Sequence, residues 1–271
     1  MKFRRTTAAA AAVLALSATA TACGGGGDDD KIRIGIKFDQ PGLGLKTPDG
    51  KYTGFDVDVA KYVAKELGYD EKDIKWVQAP SAERENLISR GDVKFVAATY
   101  SINDERKKKV SFAGPYFLAH QDLLVRKDDN SIKDAKDLNS KKLCSVTGST
   151  SAQNVKKDFA PKADLQVFGG YSECLTGLEN EAVDALTTDD SILAGYASQE
   201  EHKGKFKLTG LKLSDENYGI GIKKGDTELQ GKINKALEKM VKDGSWDKAV
   251  KANFGPANYK YEPAPKITEK S

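Results

Sequence analysis

The chain has 271 residues, 39% of them hydrophobic, with 43 Lys+Arg against 40 Asp+Glu. That length and composition suit one or two globular domains with ample core. The charged residues, 31% of the chain, are scattered as on an ordinary soluble surface, so nothing calls for nucleic acid; the densest basic run, residues 106–109, ends in three lysines that solvation accounts for.

Residues 1–22 read as a secretory signal, with Lys2, Arg4 and Arg5 ahead of an Ala-, Leu- and Val-rich run ending in small residues. The run is too short and too interrupted to span a membrane. Two cleavage sites compete. Ala20-Thr21-Ala22 satisfies the A-x-A rule, whereas Ala22-Cys23 resembles a lipoprotein site in which Ala20 replaces the usual leucine. The Gly- and Asp-rich residues 23–30 favour the second, because a flexible acidic segment suits a tether above a membrane surface. Cys23 is the expected lipidation site, holding an exported chain at the outer face of the cell membrane. Removing Lys2, Arg4 and Arg5 takes Lys+Arg from 43 to 40, level with the 40 Asp+Glu. Three cysteines in an exported chain leave one unpaired unless one is modified. Acylating Cys23 leaves Cys144 and Cys174 as a candidate disulfide; the alternative, a reactive thiol, lacks a nearby histidine or a C-x-x-C spacing.

Residues 32–36 alternate like a strand, and residues 55–67 place Phe55, Val59, Ala60, Val63, Ala64 and Leu67 on one helical face, with Gly68 as a stop. A strand around residues 74–77, a short helix opened by Ser81, and an apolar strand at residues 93–98 follow. The second half repeats this order, with strands at 143–146, 165–168 and 183–187 and helices at 151–159 and 174–178. Strands alternating with helices indicate parallel α/β sheets, here in two lobes of like architecture. Residues 226–243 form an amphipathic helix with Leu229, Ile233, Leu237, Met240 and Val241 inward, ended by Gly244. Trp246, Val250 and Phe254 continue at helical spacing and read as core; residues 256–271, rich in Pro and Lys, read as a loosely packed tail.

In open α/β sheets, ligands bind beyond the C-terminal ends of strands. That rule selects Lys37 to Asp39, Ser81, Arg84, residues 99–106, residues 147–151 and residues 188–190. Gly148-Ser149-Thr150-Ser151 lies between a strand and a helix, where backbone N–H groups favour an anion. It lacks the G-K-[ST] ending of a P-loop, and simple helix capping explains it equally well. Arg106 is either a surface ion-pair residue or a planar, bidentate partner for a carboxylate. Arg84 sits in the first turn after the expected N-cap Ser81, where the helix dipole disfavours a cation unless an anion binds beside it, although Glu83 and Glu85 could neutralise it. Lys37 is a ligand residue or a snorkelling surface lysine. The two histidines, His120 and His202, stand in no metal-ligand spacing, and no G-x-S-x-G elbow occurs. Neither a metal, a cofactor nor a catalytic residue is expected.

Ser101-Ile102-Asn103-Asp104-Glu105-Arg106-Lys107-Lys108-Lys109-Val110-Ser111-Phe112-Ala113-Gly114-Pro115-Tyr116 resembles the ligand-arginine segment of the extracellular solute-binding proteins (family 3 type) that feed polar amino acids to ABC importers. Lys31-Ile32-Arg33-Ile34-Gly35-Ile36-Lys37-Phe38-Asp39-Gln40-Pro41-Gly42, leading into Gly54-Phe55-Asp56-Val57-Asp58-Val59-Ala60, is similar to that family's opening strand, loop and first helix. The resemblance spans roughly residues 31–255 and is strongest to glutamate/aspartate-binding members. It implies a two-lobed, type II periplasmic-binding-protein-like α/β fold with two crossing hinge strands, placed at residues 116–121 and 216–220. The organisation implied is a signal at 1–22, a lipid-anchored tether at 23–30, a discontinuous lobe 1 at 31–117 and 221–255, lobe 2 with the hinge segments at 118–220, and a tail at 256–271.

The same resemblance assigns the ligand's α-carboxylate to Arg106, with Ser101, Thr99 and the loop carrying Thr147, Ser149 and Thr150. It gives the α-ammonium to Asp189, beside Thr188, and leaves Asp190 as a helix cap. The side-chain carboxylate falls to Arg84 with Ser81, and Lys37 and Asp39 complete the set. The function implied is delivery of an acidic amino acid, glutamate foremost, by a monomeric receptor to a membrane permease and its ATPase, by binding and not by bond making. Glutamine or a basic amino acid on the same scaffold is one rival; a dehydratase of related fold is another.

Overall fold

The computed structural model describes residues 31–270; the expected signal at 1–22, the expected lipidation site Cys23 and the expected tether at 23–30 lie outside the described residues. In chain order the elements are β1 (Ile32–Ile36), β2 (Asp39–Gln40), β3 (Gly44–Lys46), β4 (Tyr52–Thr53), α1 (Phe55–Glu66), β5 (Ile74–Gln78), α2 (Arg84–Ser89), β6 (Phe95–Val96), α3 (Asp104–Lys107) and β7 (Val110–Arg126). Then come β8 (Lys142–Val146), α4 (Thr150–Asn154), β9 (Asp164–Phe168), α5 (Tyr171–Glu179), β10 (Ala185–Asp189), α6 (Asp190–Ala197), β11 (Phe206–Leu208), β12 (Asp215–Lys223), α7 (Thr227–Lys242) and α8 (Ser245–Phe254).

Two half-sheets share one strand. In lobe 1 the order is β5-β1-β6-β12-β7, with β1 parallel to both neighbours; in lobe 2 β7 continues into β10-β8-β9, and β11 pairs with its other edge. β7 changes partner part-way along: Val110 to His120 face β12, whereas Gln121 to Val125 face β10. β12 runs antiparallel to β7 with a register shift between Tyr218 and Ile220. The two strands therefore cross between the lobes side by side, the hinge arrangement expected of the fold.

The alternating pattern of β1 has a physical outcome: Ile32, Ile34 and Ile36 are buried while Arg33 is exposed. α1 buries Phe55, Val59, Ala60, Val63 and Ala64 on one face. Phe55, Phe117, Trp246 and Phe254 meet at the centre of lobe 1, with ring centroids 5.2 Å apart for Phe55–Phe117 and for Phe117–Phe254. Trp246 Nε1 donates to Tyr116 O at 2.8 Å. Burial of each such side chain contributes about 1.5–3 kcal/mol, which fixes where β7 leaves lobe 1.

Four local expectations change. Ser81 is not a helix cap: α2 starts at Arg84 with Glu83 as N-cap, because residues 81–83 form a separate turn. α5 begins at Tyr171, three residues before Cys174. Val241 is 44% exposed, because Met240, 2% exposed, takes the core-facing place in the last turn of α7 and Val241 lies one residue further round the helix. Residues 256–270 form neither helix nor strand, yet they are packed: Tyr259, Tyr261, Ala264 and Ile267 lie against the main core. Thr268 and Glu269 N–H both reach Gly114 O at 3.0 Å, and Lys107 pairs with Glu269 at 2.8 Å. Local polarity suggested a loose tail; four apolar side chains at spaced positions hold it.

Cys144 on β8 and Cys174 on α5 are joined by a disulfide, with Cα atoms 5.6 Å apart. The closed loop spans 30 residues. By the chain-entropy account the bond stabilises lobe 2 by about 3 kcal/mol, so the double substitution Cys144→Ser/Cys174→Ser should lower the unfolding free energy in urea by that order. A loss below about 0.5 kcal/mol, within ordinary surface-substitution scatter, would contradict this role.

Candidate functional site

The C-terminal ends of β6 and β10 face each other across the crossing strands, and the polar residues just beyond them line a narrow, nearly closed cleft with only about 10 Å³ of free space. Its lobe 1 wall comes from Ser81, Arg84, Thr99, Ser101 and Arg106; lobe 2 contributes Ser149, Thr150, Ser151, Thr188 and Asp189. A wider groove lies on lobe 2 at Arg126, Glu179, Lys205 and Phe206, but it shares none of these residues and sits away from the facing strand ends.

Arg84 is 1% exposed and stacks on the Tyr100 ring at 4.1 Å. Its Nη1 donates to Ala98 O at 3.0 Å and Thr99 O at 3.2 Å, and its Nε finds no acceptor within the described residues. Arg106 lies over the same ring at 5.1 Å. It donates to Ser101 O at 2.7 Å and, across the cleft, to Gly148 O at 3.0 Å; Glu85 stands 3.7 Å from its Nε. Burial, then the neighbouring Arg84, lowers the Arg106 pKa to about 10, so the group stays charged. Asn103 caps the single turn of α3 by accepting the Arg106 backbone N–H at 2.9 Å, which fixes the arginine's stem.

Thr99 has φ of 45°, a conformation that a β-branched residue adopts only under constraint. The constraint is Asp56, whose carboxylate accepts Thr99 N–H at 2.8 Å and Tyr116 OH at 2.7 Å, while Thr99 Oγ1 bonds to Gln40 Oε1 at 3.1 Å. Burial raises the Asp56 pKa to about 6. This buried support was visible in the sequence only as a part of the opening motif.

Asp189 ends β10 and is 4% exposed. It accepts Tyr218 OH at 2.6 Å and Ser151 Oγ at 3.4 Å. Burial, then Glu216 on the crossing strand, raises its pKa to about 8. A cation seated against it would restore the ionised form. Asp189 itself occupies the N-cap position of α6, without a side-chain cap bond. Asp190 is the first helical residue; its Oδ1 accepts N–H of Ser191 at 2.8 Å, N–H of His120 at 3.0 Å and Tyr259 OH at 2.7 Å. The expected cap is thus a tie between α6, the crossing strand and the tail. Ser149 does cap α4, accepting Ala152 N–H at 3.1 Å.

Lys37, Asp39 and Thr147 do not line the cavity. Lys37 lies behind Ser81 and donates to its Oγ at 2.7 Å. Asp39 is partly exposed beside Gly170, and Thr147 is exposed with its N–H on Phe168 O. Tyr171 and Ile192, which do line it, were missed. Tyr171 OH accepts from Thr188 Oγ1 at 2.6 Å. The pair Gly169-Gly170 after a strand was the available signal for Tyr171, since it breaks the chain at a strand end.

The lobes touch at glycines. A Cβ on Gly148 would come 2.8 Å from Ala82 Cα, and Gly148 also has a φ of +79°. A Cβ on Gly195 of α6 would stand 2.2 Å from Pro41 O, next to the hydrogen bond from Tyr196 OH to Asp39 O.

The family model for bacterial extracellular solute-binding proteins, family 3, matches residues 32–256. This chain belongs to that family. The polar amino-acid ABC type that the motifs suggested is the one it represents. It is 49% identical over 234 residues to the glutamate-binding protein GluB of Corynebacterium efficiens, covering 83% of this chain and 79% of GluB. It is 42% identical to the glutamine-binding protein GlnH of Bacillus subtilis, covering 82% and 80%. Among solved structures, an ancestral arginine-binding protein bound to glutamine is similar at 38% identity and a TM-score of 0.77, covering 83% of this chain and 98% of that one. Family 3 proteins are thus the frame for the cleft.

Gly195→Ala should oppose closure without disturbing either lobe's core, because the clash is with backbone across the cleft. Calorimetry should show the affinity for the cleft's ligand reduced tenfold or more, about 1.4 kcal/mol, and scattering should show a more extended protein in ligand. Parent-like affinity would show that this contact does not belong to the bound form.

Proposed function

We propose that this chain is the substrate-binding component of an ABC amino-acid importer that takes an acidic amino acid, L-glutamate foremost, and delivers it to a membrane permease driven by an ATPase. One observation carries the reading: two buried guanidinium groups flank Tyr100 on one wall, while the only buried carboxylate among the cavity-lining residues, Asp189, stands on the other. A zwitterion with a second carboxylate matches that polarity. Arg106 holds the α-carboxylate with Ser101 and Thr99 and with the Ser149-Thr150 edge; Asp189 with Thr188 holds the α-ammonium. Arg84, with Ser81, takes the side-chain carboxylate. The 49% identity to a protein named for glutamate binding supports this choice. Residues 31–117 and 221–255 form one jaw and 118–220 the other, closing on ligand by hinge motion with little change inside either.

A basic side chain would meet Arg84 and fails on charge. Glutamine is the second reading, supported by the GlnH relative. Arg106→Ala should abolish binding of every amino acid, since truncating one member of a buried charge pair costs about 2–5 kcal/mol. Arg84→Ala should weaken glutamate and aspartate by a similar amount and glutamine much less, as only the acids bring a second charge into the closed cleft. Calorimetry with the three ligands decides: a glutamate affinity within about threefold of the parent, under roughly 0.7 kcal/mol, would overturn the acidic reading in favour of glutamine.

The receptor acts as a monomer held at the membrane by lipid on Cys23, with residues 23–30 as tether. Cys23→Ser should release it from the membrane fraction, because acylation supplies the membrane affinity. Unchanged retention on fractionation would refute the anchor.

A further inference from the structure

Lys37 is a buried lysine, 5% exposed, one residue past the end of β1. Gly44 on β3 makes room for it: a Cβ there would come 2.8 Å from Lys37 O and 3.1 Å from Lys37 Cβ. Its Nζ donates to Ser81 Oγ at 2.7 Å, and Ser81, not Lys37, lines the cavity. The charged groups facing it are Arg84 on α2, Arg106 on α3, Asp39 on β2 and Asp56 on α1.

We propose that Lys37 sets the choice between a carboxylate and a carboxamide ligand side chain through Ser81, as a positioning residue that decides whether the Ser81 hydroxyl offers a hydrogen or a lone pair to the cleft. The inference rests on the acidic-ligand reading above. An ammonium has three donors and no acceptor, so it fills one lone pair of Ser81 Oγ and leaves the hydroxyl hydrogen free to donate. A glutamate carboxylate, which only accepts, is the matching partner. A neutral amine has a lone pair and can accept the Ser81 hydrogen. Ser81 then presents an acceptor, which suits the N–H of glutamine and repels a carboxylate.

Burial, then Arg84, brings the Lys37 pKa from 10.5 down to about 7, whereas Asp39 and Asp56 act to raise it. A glutamate side chain adds negative charge beside the ammonium and raises that pKa, so glutamate binding takes up a proton above about pH 7 and weakens as pH rises. Glutamine brings no such charge. Asp189 and the ligand's α-ammonium titrate alike for both ligands and cancel in the ratio of their affinities. Asp56, near 6, titrates mostly below the window used.

The test is calorimetry of glutamate and glutamine at pH 6.5 and 8.5 on the parent, Lys37→Met and Ser81→Ala. In the parent the glutamate-over-glutamine ratio should fall about tenfold between the two pH values. Lys37→Met should lose that dependence, whereas Ser81→Ala, which keeps the lysine and its charge but not the hydroxyl between lysine and ligand, should keep only the weaker through-space part of it. A second measurement needs no variant: at pH 8, heats in buffers of different ionisation enthalpy should show proton uptake with glutamate and less with glutamine. A pH-independent ratio in the parent, equal proton uptake for the two ligands, or a parent-like dependence in Ser81→Ala would overturn the relay. Absence of glutamate binding at either pH would instead overturn the acidic reading on which it rests.

Discussion

The cleft depends on an imbalance of buried charge that is split between its walls. Lobe 1 gathers Lys37, Arg84 and Arg106 as buried neighbours, and desolvation, with repulsion from Arg84 second, lowers the pKa of Lys37 and of Arg106. Lobe 2 opposes them with Asp189, whose pKa burial and Glu216 push the other way. Each wall is unfavourable to hold in isolation, and a small dipolar molecule placed between them relieves both. Carbonyl oxygens and one aromatic ring supply the scaffolding: Ala98, Thr99 and Ser101 carbonyls hold the guanidinium planes, and both guanidinium groups lie over the Tyr100 ring.

The crossing strands make that split workable. Because β7 belongs to both half-sheets, the two walls hang from one continuous strand whose partner changes between His120 and Gln121. Glu216 sits at this point on β12, accepting Thr150 Oγ1 at 3.1 Å from the lobe 2 edge of the cavity. The tail adds a second connection, since Tyr259 packs on Phe254 of lobe 1 and donates to Asp190 at the start of α6. Hinge, cavity edge and tail therefore converge on one short region.

Much of the fold was legible in the chain. Period-two alternation in residues 32–36 and helical spacing in residues 55–67 and 226–243 follow from the backbone geometry that any core must satisfy. The rule that ligands gather beyond strand ends selected most of the cavity wall, including Ser81, Arg84, Thr99, Ser101, Arg106, Ser149, Thr150, Thr188 and Asp189. It also swept in Asp39 and Thr147, because a strand end marks a region and not a side-chain direction. Tyr171 escaped because its helix begins three residues before the apolar spacing does.

What the sequence determined by itself was local and periodic: strands, helices, the order of the two lobes, and which residue types stand at strand ends. Tertiary structure alone decided partnership. That Asp56 props a strained Thr99, that Lys37 meets Ser81 44 residues away, and that Asp190 binds Tyr259 69 residues away are long-range contacts. No local pattern encodes them, because a hydrogen bond or a buried charge depends on distance in space, and the chain must first fold before those distances exist.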